Sequence, residues 1–278
     1  MLTTLNLKKM KIYLKIIVIL ITFLPLKILS YDKKLVSSVE SNFRKESNVI
    51  RDKYRNPLET LSFFSIKKEM SVLEILPSKG WYTEILSLFL KDTGKLTVAS
   101  FGENHPNQYL KKIHKEFVTY FFNNEEKFGK IDVISFKNND IFLNTESNSQ
   151  DMVLTFRNNH NWIKAGIIDD VYEAIWSVLK KDGLLGVVQH RSKNETNYKI
   201  SHLNGYVPEA YLIKKIESKG FKLVSKSEIN KNDLDTTDHP KGVWTLPPSL
   251  RMGEKDKLKY LNIGESDRMT LKFKKILR

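Results

Sequence analysis

From residue 71 onward, apolar residues come in short β-branched or aromatic runs separated by segments whose apolar positions recur every three or four residues. The runs predict strands at residues 72–76, 95–101, 131–136, 152–156, 184–190 and 221–229, with a last one at 269–276. The intervening periodicity predicts helices at 81–90, 167–180 and 208–219 and a short one near 255–261. In the first of these, Trp81, Ile85, Leu88 and Phe89 share one face. The second stops before Asp182 and Gly183, and the third starts at Pro208 and stops at Gly220, in line with helix start and stop signals. Strands joined by helical crossovers imply an α/β fold with a mostly parallel sheet, whose ligands bind beyond the carboxyl ends of the strands. Residues 31–70 read as a polar helical extension ahead of this α/β domain at 71–278.

The alternation breaks after Ile229. A polar excursion, 230–254, carries Asp233, Asp235, Asp238, His239, Pro240, Trp244, Pro247 and Pro248. Its Trp and Pro content argues for an ordered lid or substrate loop. At the other end, Lys8, Lys9, Lys11 and Lys15 precede the uncharged segment 16–26, and Ser30 offers a small residue for cleavage. This is the pattern of a secretory signal peptide, 1–30, and the segment is shorter than the roughly 20 apolar residues that span a bilayer. Left uncleaved, it would tether the chain. The expected location is periplasmic or extracellular, or membrane-tethered in that second case.

Composition narrows the chemistry. With 41% apolar residues in 278, the chain can bury a sizeable core. The formal charge is +14, but residues 1–30 hold five Lys and no acid, so a chain starting at Tyr31 carries +9. That charge is spread among Asn-rich stretches without a dense basic run, which argues against nucleic acid as partner. There is no cysteine, which excludes a thiolate nucleophile, a disulfide or a Cys-ligated zinc. The six His are scattered without a paired-His helix motif, so no metal is expected.

The candidate chemistry lies at the strand ends. Between the first strand and its helix stand Pro77, Ser78, Lys79 and Gly80, where a nucleoside-cradling turn normally carries two or three glycines. Gly80 is therefore expected to leave the space that a cofactor fills. The fourth strand is followed by Arg157, Asn158, Asn159, His160, Asn161 and Trp162, either a site for an acceptor or a hydrogen-bonded turn. His160 is the general-base candidate, by virtue of an ordinary pKa of about 6.5, or else a structural histidine. His190 and Arg191 end the fifth strand, where they bind an anionic substrate or cap the sheet edge. Trp244 covers the pocket or anchors the loop; Arg268 or Arg251 holds a carboxylate or phosphate, unless Asp267 pairs with Arg268.

Several strings converge on one family. They are RDKYRNPLETLSFF at 51–64, GWYTEIL at 80–86, LTFRNNHNW at 154–162, DTTDHPKGVWTLPPSLR at 235–251 and IGESDRM at 263–269. From about Phe43 to the C-terminus the chain resembles class I S-adenosylmethionine-dependent methyltransferases, and among them a family of exported or envelope predicted methyltransferases. The resemblance implies a Rossmann-like sheet of seven strands, mostly parallel with the last antiparallel, flanked by helices. S-adenosylmethionine would lie over the ends of the first, second and fourth strands. Glu74 would match the acidic residue of the first strand, residues 77–80 the loop beneath the cofactor, and Trp81 and Tyr82 the opening of the helix behind it. The family pattern has glycine where Ser78 stands, and the Lys79 side chain must turn to solvent or to a carboxylate. At the second strand's end, Ser100, Phe101 and Gly102 replace the usual ribose carboxylate, with Glu103 just beyond. Asp140 is placed to meet the adenine amino group, and Arg157 would border the cofactor. Asn158, Asn161, Trp162, His190, Arg191, Trp244 and Arg268 would face a small-molecule substrate. The string Asn-Pro-Pro-aromatic of amino-group DNA methyltransferases is absent after the fourth strand.

Methyl transfer from a sulfonium needs alignment, exclusion of water and sometimes removal of a proton, so few residues are demanded. Export stands against it, because S-adenosylmethionine is made in the cytoplasm. Two functions therefore remain: a methyltransferase acting on a small molecule, or a non-methylating protein of the same fold that binds a metabolite or envelope component. Expression in a secreting host is expected to yield a chain lacking residues 1–30 by mass analysis. An intact Met1 in a soluble cytoplasmic fraction would overturn the leader.

Overall fold

A computed structural model describes residues 31–138, 141–193 and 198–276; the leader and Asp140 lie outside them. The chain divides after Asp32, and the sheet and its helices belong to the unit Lys33–Arg278. Nine strands form one sheet: β1 (Ser71–Ile75), β2 (Lys95–Ser100), β3 (Asp132–Asn138), β4 (Ile141–Leu143), β5 (Gln150–Phe156), β6 (Leu179–Ser192), β7 (Val207–Pro208), β8 (Phe221–Ser227) and β9 (Arg268–Lys275). Their order is β4-β3-β2-β1-β5-β6-β9-β8, with the short β7 beside β6. β1 pairs in parallel with both β2 and β5, whereas β9 is antiparallel to β6 and β8. This is the α/β sheet expected from the alternation, and all seven predicted strands are present. The two additional strands, β4 and β7, have three and two residues, too short for a periodic signal.

Successive side chains leave a strand on opposite faces, and both faces are buried. Leu73, Ile75, Val153, Leu185 and Val187 pack with the helix Ile168–Val178 and with Leu212 and Ile216. Val72, Met152, Leu154 and Val188 face the helix Trp81–Leu90 and the phenylalanines of helix Gln108–Phe122. Glu74 belongs by register to this second face.

Two predicted elements change character. The helix Trp81–Leu90 is buried over all ten residues, not on one face, because the helix Lys33–Val39 and the following chain cover its outer side. Its Glu84 is thereby enclosed, accepting hydrogen bonds from Asn48 Nδ2 at 2.9 Å and Tyr120 Oη at 3.1 Å. The helix Ile168–Val178 ends earlier than predicted, since Leu179 is already extended and pairs with Gln150. A register shift there lets the strand run on through Asp182, which has φ +63°.

The turn after β1 keeps three left-handed residues, at Leu76 (φ +49°), Ser78 (φ +57°) and Gly80 (φ +83°). Only the last is a glycine, so the turn adopts a conformation that costs side-chain-bearing residues about 1 kcal/mol each. A Cβ at Gly80 would lie 2.6 Å from Phe121 Cε2 and 3.1 Å from Phe117 Cε2. Gly80 therefore leaves room for helix Gln108–Phe122 rather than for a cofactor, which corrects the expectation from sequence. Gly80→Ala is expected to lower stability by about 2–4 kcal/mol through strain and overpacking, read in denaturant melts. Trimming the ring in Gly80→Ala/Phe121→Leu should recover part of that loss; an additive double variant would contradict the contact.

Candidate functional site

The parallel strands end together along one edge, and the strand order reverses at β1, between β2 and β5. Such a reversal opens a crevice in α/β sheets. A cleft of about 890 Å³ lies there, bordered by Leu76, Phe101, Gly102, Glu103, His114 and Trp162 among others. Glu103 stands exposed in this cleft, and the end of β2 itself carries the hydroxyl of Ser100, 2.9 Å from His114 Nδ1. Trp162 is 2% exposed, stacks against Phe136 with ring centroids 6.2 Å apart, and its enclosed Nε1–H has no hydrogen-bond partner among the described residues. Asn161 lines the same cleft, so Asn161 and Trp162 sit with the β2 and β3 ends and apart from the histidine cluster at the end of β5 and β6.

The residues around the first turn divide. Lys79 leaves the turn for Glu116, 3.5 Å away, and Ser78 is exposed. Glu74 is 1% exposed and accepts the Thr83 hydroxyl at 2.6 Å, tying β1 to the helix behind it. Burial raises its pKa to about 8, so it is predominantly a neutral acid at pH 7. Trp81 and Tyr82 serve the N-terminal extension: Trp81 Nε1 donates to Asn48 O at 2.9 Å, and Tyr82 Oη donates to Arg55 O at 3.3 Å. Tyr82 also stacks on Phe156 at 3.7 Å, linking the extension to the end of β5.

At that end Asn158 donates to Ile75 O at 2.9 Å, so its amide joins β5 to β1. His160 and His190 come together, ring centroids 5.8 Å apart, and the edge of Trp244 meets His160 at 5.9 Å. Gln189 orders this pair. Its Oε1 accepts from Asn159 N and its Nε2 donates to Gly205 O at 3.1 Å, which turns the amide N–H toward His160 Nδ1 at 3.3 Å. His160 Nδ1 is thus an acceptor, and the neutral ring carries its proton on Nε2. Burial, reinforced by Arg157, lowers its pKa to about 4, and burial pushes His190 down as well. His160 presents a donor at neutral pH and is a much weaker base than its ordinary pKa implies.

Arg191 does not bind a substrate anion. Its guanidinium is filled by Asp267 (2.9 and 3.0 Å), Glu228 (2.8 and 2.7 Å) and Glu209 (3.2 Å). Asp267 therefore pairs with Arg191 rather than with its neighbour Arg268. The excursion 230–254 is ordered, and Asp235 anchors it: the buried carboxylate accepts from Tyr206 Oη, His239 Nε2, Thr237 N and Asp267 N at 2.8–3.1 Å. Trp244 is half-buried, between His160 and the guanidinium of exposed Arg251, 4.8 Å from its ring.

The cluster that sequence reasoning missed surrounds Glu265. This buried carboxylate lies 2.7 Å from Arg51, 3.1 Å from Arg55 and 3.1 Å from Arg268, and Arg157 is near enough to act on it. The guanidinium groups hold its pKa at about 2. Arg51 and Arg55 are four residues apart in the first matched string and Glu265 is in the last, a spacing that signalled a shared face but not its partner.

Among the described residues no helix is long and apolar enough to cross a membrane, and no group of three or more His, Asp or Glu could hold a metal. The sheet order and strand-end crevice define the class I methyltransferase fold. No family model matches the chain, and no curated protein matches its sequence. Among solved structures, it is similar to an S-adenosylmethionine-dependent methyltransferase from Aquifex aeolicus at 15% identity and TM-score 0.53, over 86% of this chain and 98% of that one. A proposed sarcosine dimethylglycine methyltransferase from Galdieria sulphuraria aligns at 11% identity and TM-score 0.55, over 89% and 92% of the two chains. The cyclase SpnF aligns at 13% identity and TM-score 0.56, over 81% and 82%.

Glu74 yields a pH test. Its folded pKa, about 8, is raised above the ordinary 4.5, so protonation favours the folded state. That stabilisation is complete below the unfolded value and is lost as pH rises through about 8. Glu74→Gln, which keeps an acceptor for Thr83, is expected to remove this part of the fall in melting temperature between pH 4.5 and about 8. Equal slopes for both proteins would contradict a buried neutral Glu74.

Proposed function

We propose that the protein is an S-adenosylmethionine-dependent methyltransferase acting on a small molecule. The observation that carries this is the crevice where the strand order reverses at β1, bordered by Leu76 of the left-handed turn, by Phe101, Gly102 and Glu103 after β2 and by Trp162 after β5. The residues present fit the cofactor in part. The cleft has apolar walls in Leu76, Phe101 and Trp162 for a nucleoside, and Glu103 is the carboxylate available for ribose hydroxyls. When bound, S-adenosylmethionine supplies a methyl group made electrophilic by the sulfonium. Asp140 would complete the adenine side, and Arg157 would border the methionine side.

The chain's own contribution is positioning. Asn158 holds the ends of β1 and β5 together, Trp244 covers His160, and the loop anchored by Asp235 excludes water from that end. With His160 and His190 both neutral, the site offers a hydrogen-bond donor and a weak base. It therefore suits an acceptor that arrives with its lone pair free, such as a carboxylate, over one that must lose a tightly held proton. Export through the leader, and membership of an exported or envelope branch of such enzymes, belong to the same proposal.

A second reading, a non-methylating binding protein, is favoured by the Ser100 and Phe101 that occupy the end of β2 and by the cost of two non-glycine residues in the turn. The fold admits it, since one similar structure is a cyclase. Calorimetric titration of the purified full chain separates the two readings. S-adenosylmethionine and S-adenosylhomocysteine are expected to bind in the micromolar range, and Trp162→Phe to weaken both; no heat at millimolar ligand would rule out the methyltransferase.

A further inference from the structure

One face of the sheet is covered by helices Trp81–Leu90 and Gln108–Phe122, and helix Lys33–Val39 packs over the first of them through Leu35. The outermost residues of this layer are apolar and basic together. Between residues 43 and 50 the chain exposes Phe43, Val49 and Ile50, the last at 62%, and helix Gln108–Phe122 exposes Tyr109 at its start and Phe122, at 74%, at its end. The two segments adjoin: Lys45 Nζ lies 3.3 Å from the centroid of the Tyr120 ring, and Asn48 and Tyr120 share the Glu84 carboxylate. Exposed Lys45, Lys79, Lys111, Lys112 and Lys115 meet two exposed acids here, Glu46 and Glu116, the latter 3.5 Å from Lys79 and 3.9 Å from Lys112. Single apolar residues on a surface are ordinary, but several of them among lysines in excess mark a binding face.

We infer that this layer, residues 43–50 together with the outer side of helix Gln108–Phe122, is a docking face for a bilayer that carries anionic lipids. Aromatic and aliphatic side chains among lysines suit the boundary of headgroups and acyl chains, where the apolar groups enter and the ammonium groups meet phosphate. A second copy of the chain fits less well, because an isologous contact would set these lysines against one another. The chain that follows the apolar segment 16–26 enters the fold at helix Lys33–Val39, in this same layer, so a leader left uncleaved would tether the protein on the side that docks. The inner side of helix Gln108–Phe122 lines the crevice through Leu110 and His114, so docking would bring the crevice close to the lipid surface. The face stands on these side chains and not on the methyltransferase reading.

The chain has no cysteine, so a single introduced one carries a label alone. Full-length Ile50→Cys, Phe122→Cys and Lys214→Cys, each bearing an environment-sensitive fluorophore, are mixed with phosphatidylcholine vesicles with and without phosphatidylglycerol. Lys214 is exposed on helix Glu209–Glu217, which packs on the other face of the sheet. The labels at 50 and 122 are expected to shift to the blue with phosphatidylglycerol vesicles, and the label at 214 to stay unchanged. Lys111→Gln/Lys112→Gln/Lys115→Gln, which alters exposed side chains only, is expected to weaken vesicle binding by about tenfold or more, and high salt to do the same. Equal shifts at 50, 122 and 214, such as an inserted leader alone would produce, overturn the docking face. So do vesicle binding that the triple variant leaves intact and the absence of any shift at 50 and 122. A shift that grows with protein concentration without vesicles gives the patch to a second copy, and a shift with single-stranded oligonucleotides but not with vesicles gives it to nucleic acid; each overturns the inference.

Discussion

The carboxylate of Glu265 joins parts of the chain that are more than two hundred residues apart. Its partners Arg51 and Arg55 belong to the extension ahead of the sheet, and Arg268 opens the last strand. Around it the same two regions meet again, where Asn56 Nδ2 donates to Ile229 O at 2.8 Å and Asn230 Nδ2 bridges Thr60 and Thr270. Removing one member of such a group would strand buried charge at a cost of about 3–5 kcal/mol, so the contacts form together or not at all. The extension is thus part of the α/β unit and shapes the end of the site where Tyr82, Phe156 and Arg157 meet.

That arrangement explains why the amphipathic pattern of helix Trp81–Leu90 was only half informative. Trp81, Ile85, Leu88 and Phe89 lie on the face that periodicity anticipates, whereas Glu84 is a polar position by pattern and is buried by the extension. The strands were legible because the central ones are runs of β-branched or aromatic residues with both faces covered, while β8 at the sheet edge shows only alternation. The strand ends were legible too, where Ser78, Arg157 and His160 follow those runs. The competition among side chains was not. Arg191 and Arg268 look equivalent in sequence, yet Arg191 meets three carboxylates and Arg268 only one.

The same limit applies to His160. A histidine after a strand end carries no record of its neighbours, and the amide of Gln189, one strand away, decides which nitrogen is free. Burial, reinforced by Arg157, keeps the ring neutral, and its Nε2–H is left to donate. The positive charge of the neighbouring guanidinium works in the same direction as burial, since both disfavour a second proton on imidazole.

Charge divides this edge of the sheet into two environments. Toward β2 and β3 the walls are Leu76, Phe101 and Trp162, with Glu103 exposed at the end of β2, an environment for an uncharged ring and its hydroxyls. Outside that cleft, toward β5 and β9, the arginines Arg51, Arg55 and Arg268 outnumber the Glu265 carboxylate they share. The missing glycines of the first turn cost it backbone strain and not its shape, because Leu76 and Ser78 already hold the left-handed conformation that glycine adopts freely.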